Sequence, residues 1–363
     1  MIEHEPQVVA DAIGEAWTIP SAYYEDPALY TRIIERVFAR SWQWAGDLDM
    51  VKVPGQVAPL MLLEGSLDEP ILFTRDMDDQ LRCMSNVCTH RGALVCEAPG
   101  VERFLRCRYH GRRFGLDGAF QSMPEFEGVC DFPSKADDLP SVPFALWRQF
   151  LFAGVAPERS FDAFIADVQR RVGWLPIENF VYDPTGKRDY LVRANWALYV
   201  DNYLEGFHIP FVHAALAETL DYGSYRSELF DGGNVQVGVA RGAEDAFDLP
   251  ASSPDYGSRI AAYYYWLFPN LMLNFYPWGL SINVVYPLGV DRTRVSFYPY
   301  VWKPELRQAG AGAGLDRVER EDEVVVESVQ KGVRSRFYDR GRYSPARENG
   351  VHQFHQLLVA ATR

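Results

Sequence analysis

Two short motifs constrain this chain more than anything else in its 363 residues: Cys88-Thr89-His90 and Cys107-Arg108-Tyr109-His110, with 16 residues between His90 and Cys107. Each pair reads as a turn-like loop presenting one thiolate and one imidazole. Structural zinc prefers paired cysteines followed by paired histidines, with at least two residues inside each pair, and the spacer in Cys88-Thr89-His90 is too tight for that template. A [2Fe-2S] cluster with two thiolates on one iron and two imidazoles on the other needs one Cys and one His from each of two facing loops. The sequence supplies that set. An isolated Cys or His would more simply be a core residue, and it is the matching of two pairs that turns the reading toward metal. Neutral imidazoles in place of two thiolates make such a cluster less negative and raise its potential, which suits an electron relay. Cys83, Cys96 and Cys130 have no partner histidine at useful spacing and are expected to be small buried hydrophobes. Five cysteines, odd and sparse, fit a reducing compartment better than a disulfide framework.

Such loops need a scaffold, and the flanking sequence predicts one. From about Gln43 to Phe152 short strands alternate with turns: Ile71 to Arg75 and Leu81 to Asn86 form a hairpin around Asp76-Met77-Asp78-Asp79, and Leu116-Asp117-Gly118 makes a second turn. Before this, Tyr23, Tyr24, Tyr30, Ile33, Ile34 and Val37 recur at helical intervals. After it, helix-like sequence near Pro157 leads to long aromatic strands at Ala261 to Phe268, Leu271 to Tyr276, Leu280 to Tyr286 and Arg294 to Trp302, the last two joined by a hairpin loop over Leu288 to Arg292. The expectation is an α+β chain of two packed units, with a helical lead-in over 1–42, a small β-rich domain over 43–155 and a helix-covered antiparallel sheet over 156–363. The Ala- and Gly-rich stretch Gln308 to Gly314 reads as a loop before a final helix.

The larger unit holds a second constellation. Asp201, Asn202, Glu205, His208 and His213 crowd one short segment. On a continuous helix His208 and His213 would diverge, but Pro210 disfavours helix at Ile209 and starts a new turn, letting His213 swing back. Two imidazoles and one carboxylate on one face of iron, with the other positions open, can hold dioxygen and substrate side by side. The carboxylate is sought on the helix beginning near Leu315, where Leu315, Val318, Val325 and Val329 define an inward stripe that includes Asp322. A carboxylate on such a stripe is costly unless paired or bound to metal. Glu321 and Glu323 lie off the stripe and read as solvated surface.

Charge excludes other classes. The balance of 36 basic and 49 acidic residues, a formal charge of −13, offers no basic patch for nucleic acid. Residues 1–17 carry no Lys or Arg and no apolar run of the secretory kind, and the longest apolar run, Ile260 to Phe268, is too short to span a membrane. A cytoplasmic protein is expected. No dinucleotide fingerprint is present, so electrons for redox chemistry must come from a partner.

In this order the two constellations resemble the α-subunits of Rieske non-haem iron oxygenases over nearly the whole chain. Glu321-Asp322, Glu327 to Gly332, Gly341-Arg342-Tyr343 and Gly350 to His355 narrow the resemblance to the choline-monooxygenase-like branch, which includes oxygenases of carnitine and glycine betaine. The resemblance implies Cys88, His90, Cys107 and His110 on the cluster, His208, His213 and Asp322 on Fe(II), and a sheet domain of the START/SRPBCC type. It implies electrons originating in NAD(P)H and delivered by a separate reductase or ferredoxin. It also implies a homotrimer in which Glu205 bridges His208 to a cluster histidine of the neighbouring subunit, and it places Asn202 beside the iron pocket. Most relatives carry Asp where Glu205 stands. Two further positions depart from the family: Ala197 replaces the Lys of a common Asn-Trp-Lys, and Arg112 replaces the aromatic that follows the second cluster His-Gly.

What such an enzyme would oxidise is less constrained. Tyr263-Tyr264-Tyr265-Trp266 with Phe275, Tyr276 and Trp278 could cage a quaternary ammonium group, but β-sheet cores favour the same residues, and alternation lets only some of them reach one pocket. The sheet reading carries more weight. Hydroxylation or N- or O-demethylation of a small cation, oxidation of an aromatic ring or aryl ether, and simple electron transfer without catalysis all remain open at this level.

Overall fold

The computed structural model of the chain describes residues 9–213, 221–241, 246–307 and 314–363. These divide into two compact units, one running from Ala39 to Phe161 and the other assembled from the residues before and after it.

The inserted unit is built from short antiparallel strands. Glu69–Arg75 lies between Gln56–Leu62 and Leu81–Ser85, while Arg113–Phe114 lies between Leu105–Arg106 and Phe120–Ser122. Gln43–Asp47, Phe150–Ala153 and Phe144–Trp147 form a third sheet. Alternation along Glu69–Arg75 explains its position between two cores. Ile71 and Phe73 pack with Cys83 and Leu151 on one side, whereas Leu72 turns to the other core, which contains Cys88, Cys107 and Phe114. The hairpin turn after it is closed by Asp76, whose carboxylate accepts from the backbone N–H of Asp78 at 3.0 Å and of Gln80 at 2.8 Å.

The larger unit centres on an eight-stranded antiparallel sheet. Val181–Tyr182 and Arg188–Val192 both pair with Arg292–Val301, and the sheet continues through Gly279–Gly289, Leu271–Tyr276, Ile260–Leu267, Gly233–Val239 and Arg226–Phe230. Every residue of Leu271–Tyr276 is buried, because helices cover the sheet. Helix Trp196–Tyr203 packs on Gly279–Gly289 and on helix Leu315–Val333, and helix Asn349–Thr362 packs on the two strands at the other edge. Trp196 is the pivot of this layer, meeting Phe38 and Phe354 edge-on with ring centroids 4.9 and 5.6 Å away. Helix Leu315–Val333 is not the last one, as the sequence reading had it; Asn349–Thr362 follows it. The Ala- and Gly-rich stretch over 308–313 lies outside the described residues.

The aromatic strand splits as alternation requires. Tyr263 and Tyr265 point away from the helical layer, hydrogen-bonding Asp255 and Asp167, while Tyr264 and Trp266 face it. The three extra cysteines divide too. Cys83 is buried, but Cys96 is half-buried and Cys130 exposed, so only the first behaves as a small core hydrophobe. Cys130 falls in an irregular stretch, where no strand or helix draws it inward.

Candidate metal centres

The two Cys-His loops close in the same way. Cys88 N–H donates to the Ala93 carbonyl at 2.8 Å and Gly92 N–H donates back to the Cys88 carbonyl at 3.0 Å. Cys107 N–H donates to the Arg112 carbonyl at 2.9 Å, and Gly111 N–H to the Cys107 carbonyl at 3.0 Å. Both turns need a left-handed residue four places after the cysteine, and both have glycine there, with φ of 74° and 78°. One loop fits its histidine with one intervening residue and the other with two, yet His90 and His110 meet edge-on with ring centroids 4.8 Å apart. Cys88 and Cys107 are buried, and their thiols are within hydrogen-bonding reach of each other. Burial pushes the Cys88 thiol up and the His90 imidazole down, the second also repelled by His110 and Arg112. The Nδ1 of His90 is buried without any hydrogen-bond partner among the described residues. An orphaned imidazole nitrogen beside two facing thiols is costly as it stands and is satisfied by metal, so these four residues fit a cluster ligated by two Cys and two His.

The second centre is assembled from distant parts of the chain. Asn195 caps helix Trp196–Tyr203 by accepting from Ala197 N–H, and its own N–H is held by Gln330 on helix Leu315–Val333. The helix stops at Tyr203. A single turn, Ile209–Val212, then carries Pro210 near its start, with His208 and His213 at its two ends. That geometry turns both rings to one side. The Oδ1 of Asp322 lies 3.0 Å from His213 Nε2 and 3.5 Å from His208 Nε2, and the three candidate ligand atoms lie within 4.8 Å of one another. The other ring nitrogens are taken by carboxylates, His208 Nδ1 by Glu205 at 2.6 Å and His213 Nδ1 by Glu321 at 2.8 Å. Burial would push the His213 imidazole down, but Asp322 and Glu321 outweigh it and hold it above its ordinary value. Two imidazoles with carboxylate-bound second nitrogens and one further carboxylate fit a mononuclear iron held on one face.

A cavity of about 110 Å³ opens beside these three side chains. Its floor crosses the sheet in two adjacent rows, one in which Gln236 pairs with Tyr264 and Tyr264 with Asn274, the other in which Asn283 pairs with Phe297. Tyr225 and Tyr276 stand beside the rows, and Asn202, Tyr203, Val318 and Glu319 also line the cavity. Tyr264 and Tyr276 meet edge-on at 5.9 Å; of the aromatic residues singled out in the sequence, these two reach the cavity. Among the described residues, no Lys or Arg lines it.

Of the polar residues crowded around His208, Asn202 and Glu205 also line the cavity, but Asp201 turns away to His355 and Tyr24. The helix stripe is also offset from the sequence reading. The buried positions are Glu319, Val326, Gln330 and Val333, while Val329 is partly exposed. Two of those four are polar, so hydrophobicity could not register the stripe. Asp322 nevertheless falls on its flank. Glu321 and Glu323 are not solvated surface: Glu321 binds His213, and Glu323 keeps one buried oxygen without a partner and pairs with Arg320. The sequence reading missed Glu319 as well, 4% exposed, bonded to Tyr199 and pushed up to about 8 by burial.

Comparison with known proteins gives concordant results. The family described as Rieske [2Fe-2S] domain matches residues 41–133, and the ring hydroxylating alpha subunit (catalytic domain) family matches residues 173–363. The chain is 31% identical to the chloroplastic choline monooxygenase of Arabidopsis thaliana, covering 98% of this chain and 85% of that protein. It is 29% identical to the carnitine monooxygenase oxygenase subunit of Escherichia coli (strain K12), covering 95% and 94%. A crystal structure of a quaternary ammonium Rieske monooxygenase in complex with L-carnitine superposes with a TM-score of 0.78 at 21% identity, covering all of both chains. Naphthalene 1,2-dioxygenase from Rhodococcus sp. gives 0.72 at 19% identity, covering 95% and 93%.

Proposed function

Since the chain belongs to the ring-hydroxylating oxygenase α-subunits, with a Rieske [2Fe-2S] domain and a mononuclear iron domain, we propose that it hydroxylates an N-methyl carbon of a small quaternary ammonium or methylamine cation. One observation carries this reading. The cavity beside His208, His213 and Asp322 is walled by tyrosines and contains the carboxylates of Glu205 and Asp322 but, among the described residues, no Lys or Arg. Tyrosine faces attract alkylammonium groups, and carboxylates offset their charge.

His208, His213 and Asp322 are assigned as the iron ligands, and Cys88, His90, Cys107 and His110 as the cluster ligands. When bound, the cluster supplies single electrons and the iron supplies the chemistry that activates dioxygen. Glu205 and Glu321 fix the ring orientation and tautomer of the two histidines, so that each presents Nε2. Tyr264 and Tyr276 hold the methyl groups, and the enclosed floor excludes water from the reacting carbon. One oxygen atom of dioxygen enters the C–H bond. The other leaves as water with two electrons and two protons, and the carbinolamine collapses to demethylated amine and formaldehyde. A separate reductase delivers the electrons.

The reading extends to assembly. The residues over 43–155 serve as cluster domain, those over 156–363 as catalytic domain, and those over 1–42 as a lead-in. In a cytoplasmic homotrimer, Glu205 would bridge His208 to a cluster histidine of the next subunit. Exposed aromatics adjoin both centres, with Tyr109 60% exposed against His110 and Phe211 81% exposed near His208 and His213, as surfaces awaiting a partner would be. No helix among the described residues is long and apolar enough to cross a membrane.

The test is to reduce the loaded protein anaerobically and add dioxygen with choline, carnitine, glycine betaine or an aromatic acid, following cluster absorbance and formaldehyde. Cluster reoxidation accelerated by a methylammonium compound, with formaldehyde released, is expected. Acceleration by the aromatic acids alone would overturn the substrate assignment.

A further inference from the structure

Arg112 stands where the resemblance leads one to expect an aromatic side chain, directly after His110-Gly111, and it is 2% exposed. Burying a guanidinium is expensive, so the fold must compensate it. Among the described residues the guanidinium forms a single ion pair, Arg112 Nη2 to Asp137 Oδ1 at 2.6 Å, with a longer bond to the Asp137 carbonyl at 3.2 Å. Elsewhere the group is boxed in by the rings of Phe120, Phe132 and Phe114, 4.9 to 5.8 Å from their centroids, and its Nε has no hydrogen-bond partner. The Asp137 carbonyl also accepts from Thr89 Oγ1 at 2.8 Å, between Cys88 and His90. One residue of a third segment thus ties the first Cys-His loop to the second through Arg112. The pair is lopsided: Asp137 is partly solvated, with 19% of its side chain exposed, whereas the guanidinium is enclosed by aromatic rings. Solvent screens the carboxylate more than the buried cation. The Ser134 N–H and then Arg112 hold the Asp137 carboxyl below its usual range.

We propose that Arg112 is a positioning residue that raises the reduction potential of the cluster, its buried charge favouring the reduced, more negative state, with Asp137 trimming that effect. The inference rests on the assignment of Cys88, His90, Cys107 and His110 as cluster ligands. Cluster charge and the charges around it are established levers on such potentials. The chain has replaced a neutral ring at this position by a cation, and the cost of burying it is offset only in part.

The experiment is a potentiometric titration of the loaded protein at fixed pH, followed by cluster absorbance and electron paramagnetic resonance, on wild type, Arg112→Gln, Asp137→Asn and Arg112→Lys. Arg112→Gln is expected to lower the reduced-to-oxidised ratio at a fixed poise about tenfold, about 59 mV for a one-electron couple. Asp137→Asn is expected to shift it the other way, and Arg112→Lys to stay closer to wild type than the Gln variant. Loosened packing alone would move Arg112→Gln and Asp137→Asn in the same direction. That outcome, or no shift in either with an unchanged resonance spectrum, overturns the proposal. If Arg112→Gln does not fold, Asp137→Asn decides by its sign. Absence of the two-Cys, two-His spectral signature in wild type would instead sink the ligand assignment.

Discussion

The two centres are built on opposite plans. The four cluster candidates fall within one stretch of chain, 88–110, and each loop closes on its own backbone around a left-handed glycine. The iron candidates come from a broken helical segment and from a helix 109 residues further on, and side-chain carboxylates fix their orientation. A site made by local backbone closure is written in sequence spacing. A site made by tertiary packing is written only in the agreement of two distant elements, and its supporting residues leave almost no local mark. The first plan should tolerate changes in the second unit, and the second should fail one side chain at a time.

The most severe test of that contrast is selective loss of one metal. Asp322→Ala is expected to reduce iron from about three to about two atoms per chain and turnover to background, with the cluster spectrum intact. Cys107→Ser is expected to abolish the cluster spectrum and turnover while leaving mononuclear iron that can be removed by a chelator. Iron analysis with absorbance spectroscopy reads both. If Asp322→Ala also bleaches the cluster, the two plans are not separable.

A smaller effect is expected where the second plan depends on side chains that do not touch metal. Glu321→Ala removes the acceptor of His213 Nδ1 and frees the imidazole to rotate. Loss of such a partner weakens metal affinity about 10- to 100-fold, so iron uptake titrations should shift by that amount with the cluster unchanged. Unchanged iron affinity would make Glu321 an ordinary partner of Arg317, with which it also pairs at 3.0 Å.

These effects track what was legible in the sequence. The Cys-His pairs, the hairpin at Asp76–Asp79 and the long aromatic strands announce themselves through spacing and alternation, whereas the break was misplaced: the helix ends at Tyr203, and Pro210 sits inside the next turn, with Ile209 helical before it. Glu321 was unreadable because its partner His213 lies 108 residues away and its own neighbours are charged. The inward stripe of Leu315–Val333 was displaced because two of its buried positions, Glu319 and Gln330, are polar, each accepting one hydrogen bond, from Tyr199 and from the Asn195 N–H. By contrast Val324, apolar, is 71% exposed. Hydrophobic periodicity marks a helix face only where apolar packing, and not hydrogen bonding, holds it. The strand pair Arg226–Phe230 and Gly233–Val239 escaped for a related reason: Arg226, Glu228, Asn234 and Gln236 place polar side chains on strands that are held by ion pairs and by the cavity.

The mildest perturbation sharpens the local plan itself. At Gly92 an added Cβ would meet nothing within 4 Å, so Gly92→Ala introduces no clash and charges only the left-handed backbone, φ 74°, that closes the first loop. Holding an L-residue there costs about 1–2 kcal/mol. Gly111, φ 78°, has only ordinary contacts at 3.7 Å, so Gly111→Ala should cost the same. Both variants are expected to unfold at lower denaturant concentration by equal amounts while keeping the cluster spectrum. A much larger loss in one of them would show that the two loops, alike in backbone, are held differently by what surrounds them.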